Sequence, residues 1–254
     1  MIYRGLFSGF LESLYLIFDR KKISSAERVF LETYFPYFRR LPAPHKREFV
    51  HKLEQVLTLK KFVGRGELRQ VTDEMKLLIG ATLVMVTFGW KNFRLSYFHT
   101  FLIYPDDYYS TINQTYHRGE VNPRHGLIVL SWKSFVCGLT REDDGINLGI
   151  HEMAHALKLV HFILESGERG FDPESWRLYC EVRAGEMAKL SAAENSFFRS
   201  RAAADEHEFF AVMLENFFER PHEFFLHHEE LYLIAFKLMR QDPRVWLVHR
   251  VLRG

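Results

Sequence analysis

The sequence predicts an α+β fold that is mostly helical, with a small β-sheet beside a helix that carries H-E-x-x-H. Most apolar residues recur at the three- and four-residue spacing of amphipathic helices. Two short runs, residues 97–104 and 127–132, are instead rich in aromatic and β-branched residues and are bounded by Pro105 and Gly126. Such runs are typical of strands.

The helices begin and end at recognisable residues. Ser24 caps a helix that Pro36 kinks or ends, and Val29 and Tyr34 lie on its predicted apolar face. Thr72 or Asp73 caps a helix so apolar that we expect it to be buried on nearly all sides. In chain order, further helices are predicted over residues 45–59, 74–88, 174–190, 206–218 and 221–239, with a short one after Pro243.

The remaining segments are predicted as turns and loops. Residues 63–66 (VGRG) and 122–126 (NPRHG) contain the glycine and proline of tight turns. The apolar residues of 191–204 show no regular helical or strand spacing, so no secondary structure is predicted for this stretch. At 254 residues the chain can bury a substantial core. We predict one domain over residues 25–254, preceded by an amphipathic helix within residues 1–24.

Composition narrows the class of protein. Charged residues make up 26% and apolar residues 47% of the chain, as in ordinary globular domains. The formal charge of +2 lacks the basic excess of a dedicated nucleic-acid binder, so no nucleic-acid partner is expected. The apolar run over residues 77–90 is too short to span a bilayer.

Two features bear on the cell compartment. Cys137 and Cys180 fit neither a disulfide scaffold nor a C-x-x-C site, and we expect both to be reduced and buried, in the cytoplasm. Residues 5–18 lack the basic start and the cleavage site of a secretory signal. A core helix is the favoured interpretation of residues 5–18, and contact with a membrane surface is the alternative.

The motif His151-Glu152-Met153-Ala154-His155 carries the chemistry. Residues four apart lie on one face of a helix, so the two imidazoles can converge on a single zinc ion. Glu152 can then act as general base for a water that zinc activates, which is the chemistry of amide hydrolysis. The alternative, a chance pair of histidines on a solvated helix, is disfavoured by the apolar residues around the motif.

A catalytic zinc site needs a third protein ligand. His151, His155 and His161 follow the spacing H-x-x-x-H-x-x-x-x-x-H, which suggests His161 as the third ligand. On an unbroken helix, however, its side chain points about 120° away from that of His155. A glutamate from a later helix is the alternative, and the candidates are Glu181, Glu186, Glu208 and Glu215. Glu208 lies in the first turn of an aromatic-rich helix, where it could also fold back on Asp205 as a capping box. Glu215, on the same face, could instead orient a ligand.

Several segments together resemble a known family. They are residues 147–155 with the H-E-x-x-H motif, 208–212 (EFFAV), 101–105 (FLIYP), 126–132 (GLIVLSW) and 217–221 (FFERP). In order and spacing they resemble the Mlc titration factor A family of zinc-dependent peptidases, and the resemblance runs from about residue 25 to 243. It implies a zincin-like fold, with His151, His155 and Glu208 as zinc ligands and Glu152 as general base.

Two positions depart from the family pattern. Lys158 stands where some members carry an aspartate just after the motif. The family has a tyrosine seven residues before the glutamate ligand, where it assists the tetrahedral intermediate, and this chain has Arg201 there. An arginine can also stabilise an oxyanion, so Arg201 is a candidate catalytic residue.

The sequence therefore predicts a zinc metallopeptidase of peptide or protein substrates. Some members of the family cleave aminopeptidase substrates and bind a transcriptional repressor of sugar uptake, so the resemblance adds a transcriptional regulator as an expected partner. The alternative is a zinc-stabilised regulatory protein with little or no turnover, which the arginine at position 201 favours.

Overall fold

The computed structural model describes residues 20–91, 93–110, 115–163, 170–192 and 196–247. Within these ranges the chain is mostly helical, with a four-stranded mixed sheet and a separate two-stranded sheet, so the predicted α+β class is confirmed. The amphipathic helix predicted over residues 5–18 lies outside the described residues. None of the described helices is long and apolar enough to cross a membrane.

From residue 20 onwards, three helices precede the sheet. Helix α1 (Ser25–Tyr34) begins at a capping box of Ser24 and Glu27 and ends where Pro36 starts helix α2 (Pro36–Arg40). Helix α3 spans Ala43–Leu59. The apolar face predicted for α1 is wrong in part. Val29 and Tyr34 are exposed, because α1 is a surface helix that buries Leu31.

Helix α4 (Asp73–Thr87) is the central helix of the core. Thr72 caps it, since its side chain accepts a hydrogen bond from the amide of Met75. Every residue from Leu77 to Thr87 is buried, as the uniform apolar composition predicts. One face packs against α3, and another supports the helix of the H-E-x-x-H motif.

Neighbouring strands of the four-stranded sheet follow the order Lys61–Gly64, Thr100–Tyr104, Leu127–Ser131 and Gly119–Asn122. Strands β1 (Lys61–Gly64), β2 (Thr100–Tyr104) and β6 (Leu127–Ser131) are parallel, and β5 (Gly119–Asn122) pairs with β6 in the antiparallel direction at the edge. In a separate two-stranded sheet, β3 (Tyr108–Ser110) pairs with β4 (Thr115–His117) in the antiparallel direction.

Two predictions about the sheet need correction. The strand predicted over residues 97–104 begins only at Thr100, because the amide of Phe98 bonds to the carbonyl of Leu95 and closes a turn. The turn predicted over residues 63–66 overlaps the end of β1. Gly64 pairs there with Ile103, and a Cβ on Gly64 would lie 2.0 Å from the carbonyl oxygen of Leu68.

Helices form most of the second half of the described chain. They are α5 (Trp132–Thr140), α6 (Leu148–Phe162), α7 (Pro173–Ala192), α8 (Glu206–Glu219), α9 (Pro221–His227), α10 (Glu229–Met239) and α11 (Pro243–Leu247), with a 3-10 turn over Ser200–Ala203. The single helix predicted over residues 221–239 is two helices. His228 leaves the helical conformation between them and its imidazole pairs with Glu186.

The two cysteines are free thiols, but the prediction that both are buried is wrong for Cys137. Helix α5 buries Phe135 and Gly138, which places Cys137 on its exposed face. Cys180, on α7, is partly buried.

Candidate metal centre

The first turn of α6 fixes the direction of the motif residues. Asn147 caps the helix, because its side-chain oxygen accepts a hydrogen bond from the amide of Ile150 at 3.1 Å. Ile150, Met153, Ala154 and Leu157 are buried on the core side. His151 and His155 share another face, with their Nε2 atoms 3.1 Å apart and their rings nearly perpendicular.

Helix α8 packs against α6 and brings Glu208 to the two imidazoles. Glu208 Oε2 lies 3.4 Å from His151 Nε2, and Oε1 lies 3.5 Å from His155 Nε2. The capping role considered for Glu208 is only half realised. Asp205 accepts hydrogen bonds from the amides of His207 and Glu208, whereas the Glu208 side chain turns away towards the histidines.

The three donor atoms can be compared with what a metal requires. Tetrahedral zinc with bonds of about 2.0–2.1 Å places its ligand atoms about 3.3 Å from one another. Here the two imidazole nitrogens lie 3.1 Å apart, and they lie 3.4 and 3.5 Å from the two different oxygens of the Glu208 carboxylate. Two imidazoles with one carboxylate are a donor set of catalytic zinc. The residues therefore fit a metal ion of this kind.

The charges around the histidines also favour a cation. Burial lowers the pKa of His151, but hydrogen bonds with Glu208 and Glu215 outweigh that effect and raise the pKa to about 9. Burial lowers the pKa of His155. Burial opposes ionisation of Glu208, yet the hydrogen bonds from His151, His155 and Arg201 keep its pKa well below the usual range. A metal would replace the proton of His151, since neutral imidazole is the ligand form.

Glu152 lies on the sheet side of α6. It is 5% exposed, and burial raises its pKa to about 7. Its neighbour on the edge strand is Gly119, where a Cβ would lie 2.4 Å from Glu152 Oε1. A carboxylate with a pKa near neutrality can both accept and return a proton at working pH.

Two arginines contact the carboxylates of the site. Arg201 donates hydrogen bonds from Nε and Nη2 to the two oxygens of Glu208. Arg199 donates to Oε2 of Glu215, and that oxygen lies 3.4 Å from His151 Nδ1. The other oxygen of Glu215 accepts from the amide of Asn147 at 2.9 Å. Glu215 thus faces the nitrogen of His151 that is turned away from Glu208.

The other candidate ligands lie elsewhere in the fold. His161 accepts a hydrogen bond from the amide of Phe171 and packs on Trp176. Glu181 pairs with Arg177, and Glu186 pairs with His228. Arg199 is a site residue that sequence reasoning missed. It lies in the stretch without a helical or strand period, so no local signal pointed to it.

Comparison with known proteins agrees with this geometry. A model of the glucose-regulated metallo-peptidase M90 family matches residues 13–238. The chain belongs to the M90 metallopeptidase family. The match confirms the resemblance stated from the motifs, because Mlc titration factor A of Edwardsiella ictaluri is 28% identical over 232 residues, covering 82% of this chain and 85% of that protein.

The name of a second relative says nothing about its function. The uncharacterized protein slr2042 of Synechocystis is 27% identical over 229 residues, which cover 83% of this chain and 82% of that protein. Together with the helices and the small mixed sheet, membership of the M90 family gives the chain a zincin-like fold.

Proposed function

We propose that this M90 protein is a zinc-dependent peptidase in which His151, His155 and Glu208 hold the metal. The observation that carries the proposal is the convergence of three side chains from two helices: the two imidazole nitrogens lie 3.1 Å apart, and each lies within 3.5 Å of one oxygen of the Glu208 carboxylate. Zinc bound there would polarise the scissile carbonyl and activate a water.

The proposed general base is Glu152. Its carboxylate takes a proton from the attacking water and passes it to the leaving amine, so the peptide bond breaks with one water consumed. Its pKa of about 7 supports both halves of this transfer. Gly119 leaves room for the Glu152 side chain beside strand β5, and the carboxylate interacts electrostatically with His151.

The substrate proposed is a peptide, including short peptides with a free amino terminus. Among the described strands, β5 pairs with β6 alone and forms the edge of the sheet, so its outer edge can add an extended peptide by backbone hydrogen bonds. Gly119 lies on this strand and touches Glu152, so a peptide along the edge would run past the proposed base.

Arg201 is proposed to stabilise the oxyanion. Its guanidinium has five N–H donors and uses two groups, Nε and Nη2, on Glu208. The remaining donors are available to substrate, since the side chain is 56% exposed.

The variant Arg201→Lys tests this role. It keeps the positive charge but removes the planar set of N–H donors, so we expect kcat to fall about 100-fold with little change in KM. Arg201→Tyr should retain more activity than Arg201→Lys. Equal activity of all three proteins would exclude a catalytic role for residue 201.

Glu152→Gln tests the mechanism. We expect kcat to fall by about 10²–10⁴ towards quenched peptides and aminoacyl nitroanilides, because the base is lost, while one zinc per chain is retained. Glu208→Gln should lose the metal as well. The control is Glu223→Gln, which removes an exposed carboxylate that pairs with Arg220. Full activity of Glu152→Gln would show that Glu152 is not the general base.

A second candidate function is a regulatory protein that binds a transcriptional regulator of the Mlc type. The relative called Mlc titration factor A motivates it, and the arginine at position 201 favours it. The discriminating result is binding of an Mlc-type repressor that survives Glu152→Gln, together with absence of peptidase activity in the wild-type protein.

A further inference from the structure

A second concave site lies behind the metal centre, on the opposite side of the first turn of α6. It is open to solvent on one side, and its volume accessible to the centres of water-sized molecules is about 60 Å³. Residues of α2, α4, α5, α6, α8 and α11, together with residues next to these helices, line it. The metal-centre residues His151, His155 and Glu208 are not part of its lining. We call this site the rear pocket.

The walls of the rear pocket are apolar. They are formed mainly by Phe35, Tyr37, Met85, Leu139, Ile150 and Phe218. Five of these residues are less than a tenth exposed, so the walls belong to the rigid core. An apolar body of a few carbon atoms would gain the ordinary hydrophobic free energy by entering it.

One polar group in the rear pocket lacks a partner. Glu219 Oε1 accepts a hydrogen bond from Asn147 Nδ2 at 2.9 Å, but the buried Oε2 makes none among the described residues. No lysine or arginine in the described part of the chain lies within ion-pair distance of Glu219. A buried carboxylate oxygen is costly without a hydrogen bond or an opposite charge.

The remaining charges of the rear pocket leave Glu219 uncompensated. Arg40 lies at the lining but is bound to Glu142 at 2.5 Å. Asp144 adds a further negative charge near Glu219, and α8 ends at Glu219 with the negative end of its dipole. The N-terminus of α6 does not compensate Glu219 either, because the amide of Ile150 donates to the Asn147 side chain and the amide of Asn147 donates to Glu215. Burial raises the pKa of Glu219 to about 8, although Asn147 and the amide of Gly145 act against it. An ammonium group beside the carboxylate would lower this pKa, so Glu219 would release its proton when the ammonium binds.

We propose that the rear pocket binds a small primary amine, with its apolar body on the aromatic and aliphatic walls and its ammonium group on Glu219 Oε2. The ammonium group supplies both the missing hydrogen bond and the missing positive charge. Asn147 holds the other oxygen of Glu219, so the carboxylate is oriented before the amine binds.

The test uses three probes that share one apolar body. They are isopentylamine, isopentanol and isovalerate, which carry an ammonium, a hydroxyl and a carboxylate group. Binding is followed by NMR through the methyl resonances of Met85 and Ile150 in the metal-loaded protein. We expect isopentylamine to bind about tenfold tighter than isopentanol, and isovalerate to bind weakest, because only the ammonium complements the carboxylate.

Two variants locate the binding. Glu219→Gln keeps the shape and the hydrogen bond with Asn147, and it should bring the affinity for the amine to within about twofold of the alcohol. Leu139→Trp fills the rear pocket and should abolish binding of all three probes. An amine bound to the metal centre would be unaffected by Leu139→Trp, so that result would overturn the proposal. The control is Glu223→Gln, an exposed carboxylate beyond the pocket.

Other outcomes also overturn the proposal. Equal affinity for the three probes would show that Glu219 does not select the ligand. Absence of methyl shifts with the amine would show that the rear pocket is a packing defect. Because the readout is binding without turnover, these outcomes are separate from failure of the proposed peptidase activity.

Discussion

At the scale of single residues, the Nδ1 atom of His151 faces a carboxylate. Glu215 is 1% exposed at its side chain, and its Oε2 atom lies 3.4 Å from that nitrogen. A carboxylate in this position fixes the ring orientation and the tautomer that leaves Nε2 free for a metal. Arg199 and the amide of Asn147 hold the carboxylate in turn. The orientation of one proposed ligand therefore rests on residues that never reach the metal.

This contact gives a prediction for Glu215→Gln. The glutamine can still accept from the amide of Asn147, but its NH₂ group would face the N–H of His151 and the guanidinium of Arg199. We expect the affinity for zinc to fall about 10–100-fold, measured by competition with a chromophoric chelator. At saturating zinc most of kcat should return, since Glu152 is unchanged. Unaltered zinc affinity would show that Glu215 serves packing alone.

The residue scale also shows what the sequence could predict about the site. His151 and His155 are four residues apart, so helix geometry alone brings them together. Residue spacing left Glu208 among four candidate glutamates, because its approach depends on how α8 packs against α6. The family resemblance selected Glu208, and the structure brings it to the two histidines. The rear pocket forms where six helices meet, so no local sequence pattern could predict it or the position of Glu219 in it.

At the scale of elements, the edge strand β5 and the motif helix α6 meet at one glycine. Gly119 has no side chain, and a Cβ at this position would lie within 2.7 Å of three atoms of the Glu152 side chain. Contacts under 3.0 Å force one partner to move. The strand can therefore lie against the proposed base only because residue 119 is glycine.

Gly119→Ala should displace Glu152 while leaving the fold in place. We expect kcat to fall at least about tenfold, because the carboxylate moves away from the proposed water position. The circular dichroism spectrum and the zinc content should stay unchanged. The matched control is Gly185→Ala on α7, where a Cβ meets nothing within 4 Å and alanine favours a helix by about 1 kcal/mol. Equal activity of the two variants would show that Glu152 tolerates the methyl group.

The element scale separates what the sequence could predict about the fold from what it could not. Long helices such as α4 and α8 match their predicted ranges to within one residue at each end, because their apolar periods and caps are local. Strands β1, β3, β4 and β5 were missed. They are three or four residues long, and where their burial is described they are mostly half-exposed, so pairing rather than composition defines them.

At the scale of the whole molecule, the metal centre joins parts of the fold that are distant in sequence. Helix α6 rests on α4 and on the sheet, whereas α8 is surrounded by α6, α9 and the 3-10 turn at Ser200–Ala203. The proposed ligands come from both helices, so a bound cation would cross-link the two halves of the core. The unfolded chain would not hold the three donors together.

Metal removal should therefore lower the stability of the whole molecule. With free zinc at about 100 times its Kd, binding adds about 2.7 kcal/mol to the free energy of unfolding. For a chain of this size that corresponds to a fall in Tm of about 5–10 °C on removal, measured by calorimetry with and without a chelator. In Glu208→Gln the chelator should change Tm by much less, because only the two histidines remain as ligands. An equal fall in both proteins would place the stabilising metal at another site.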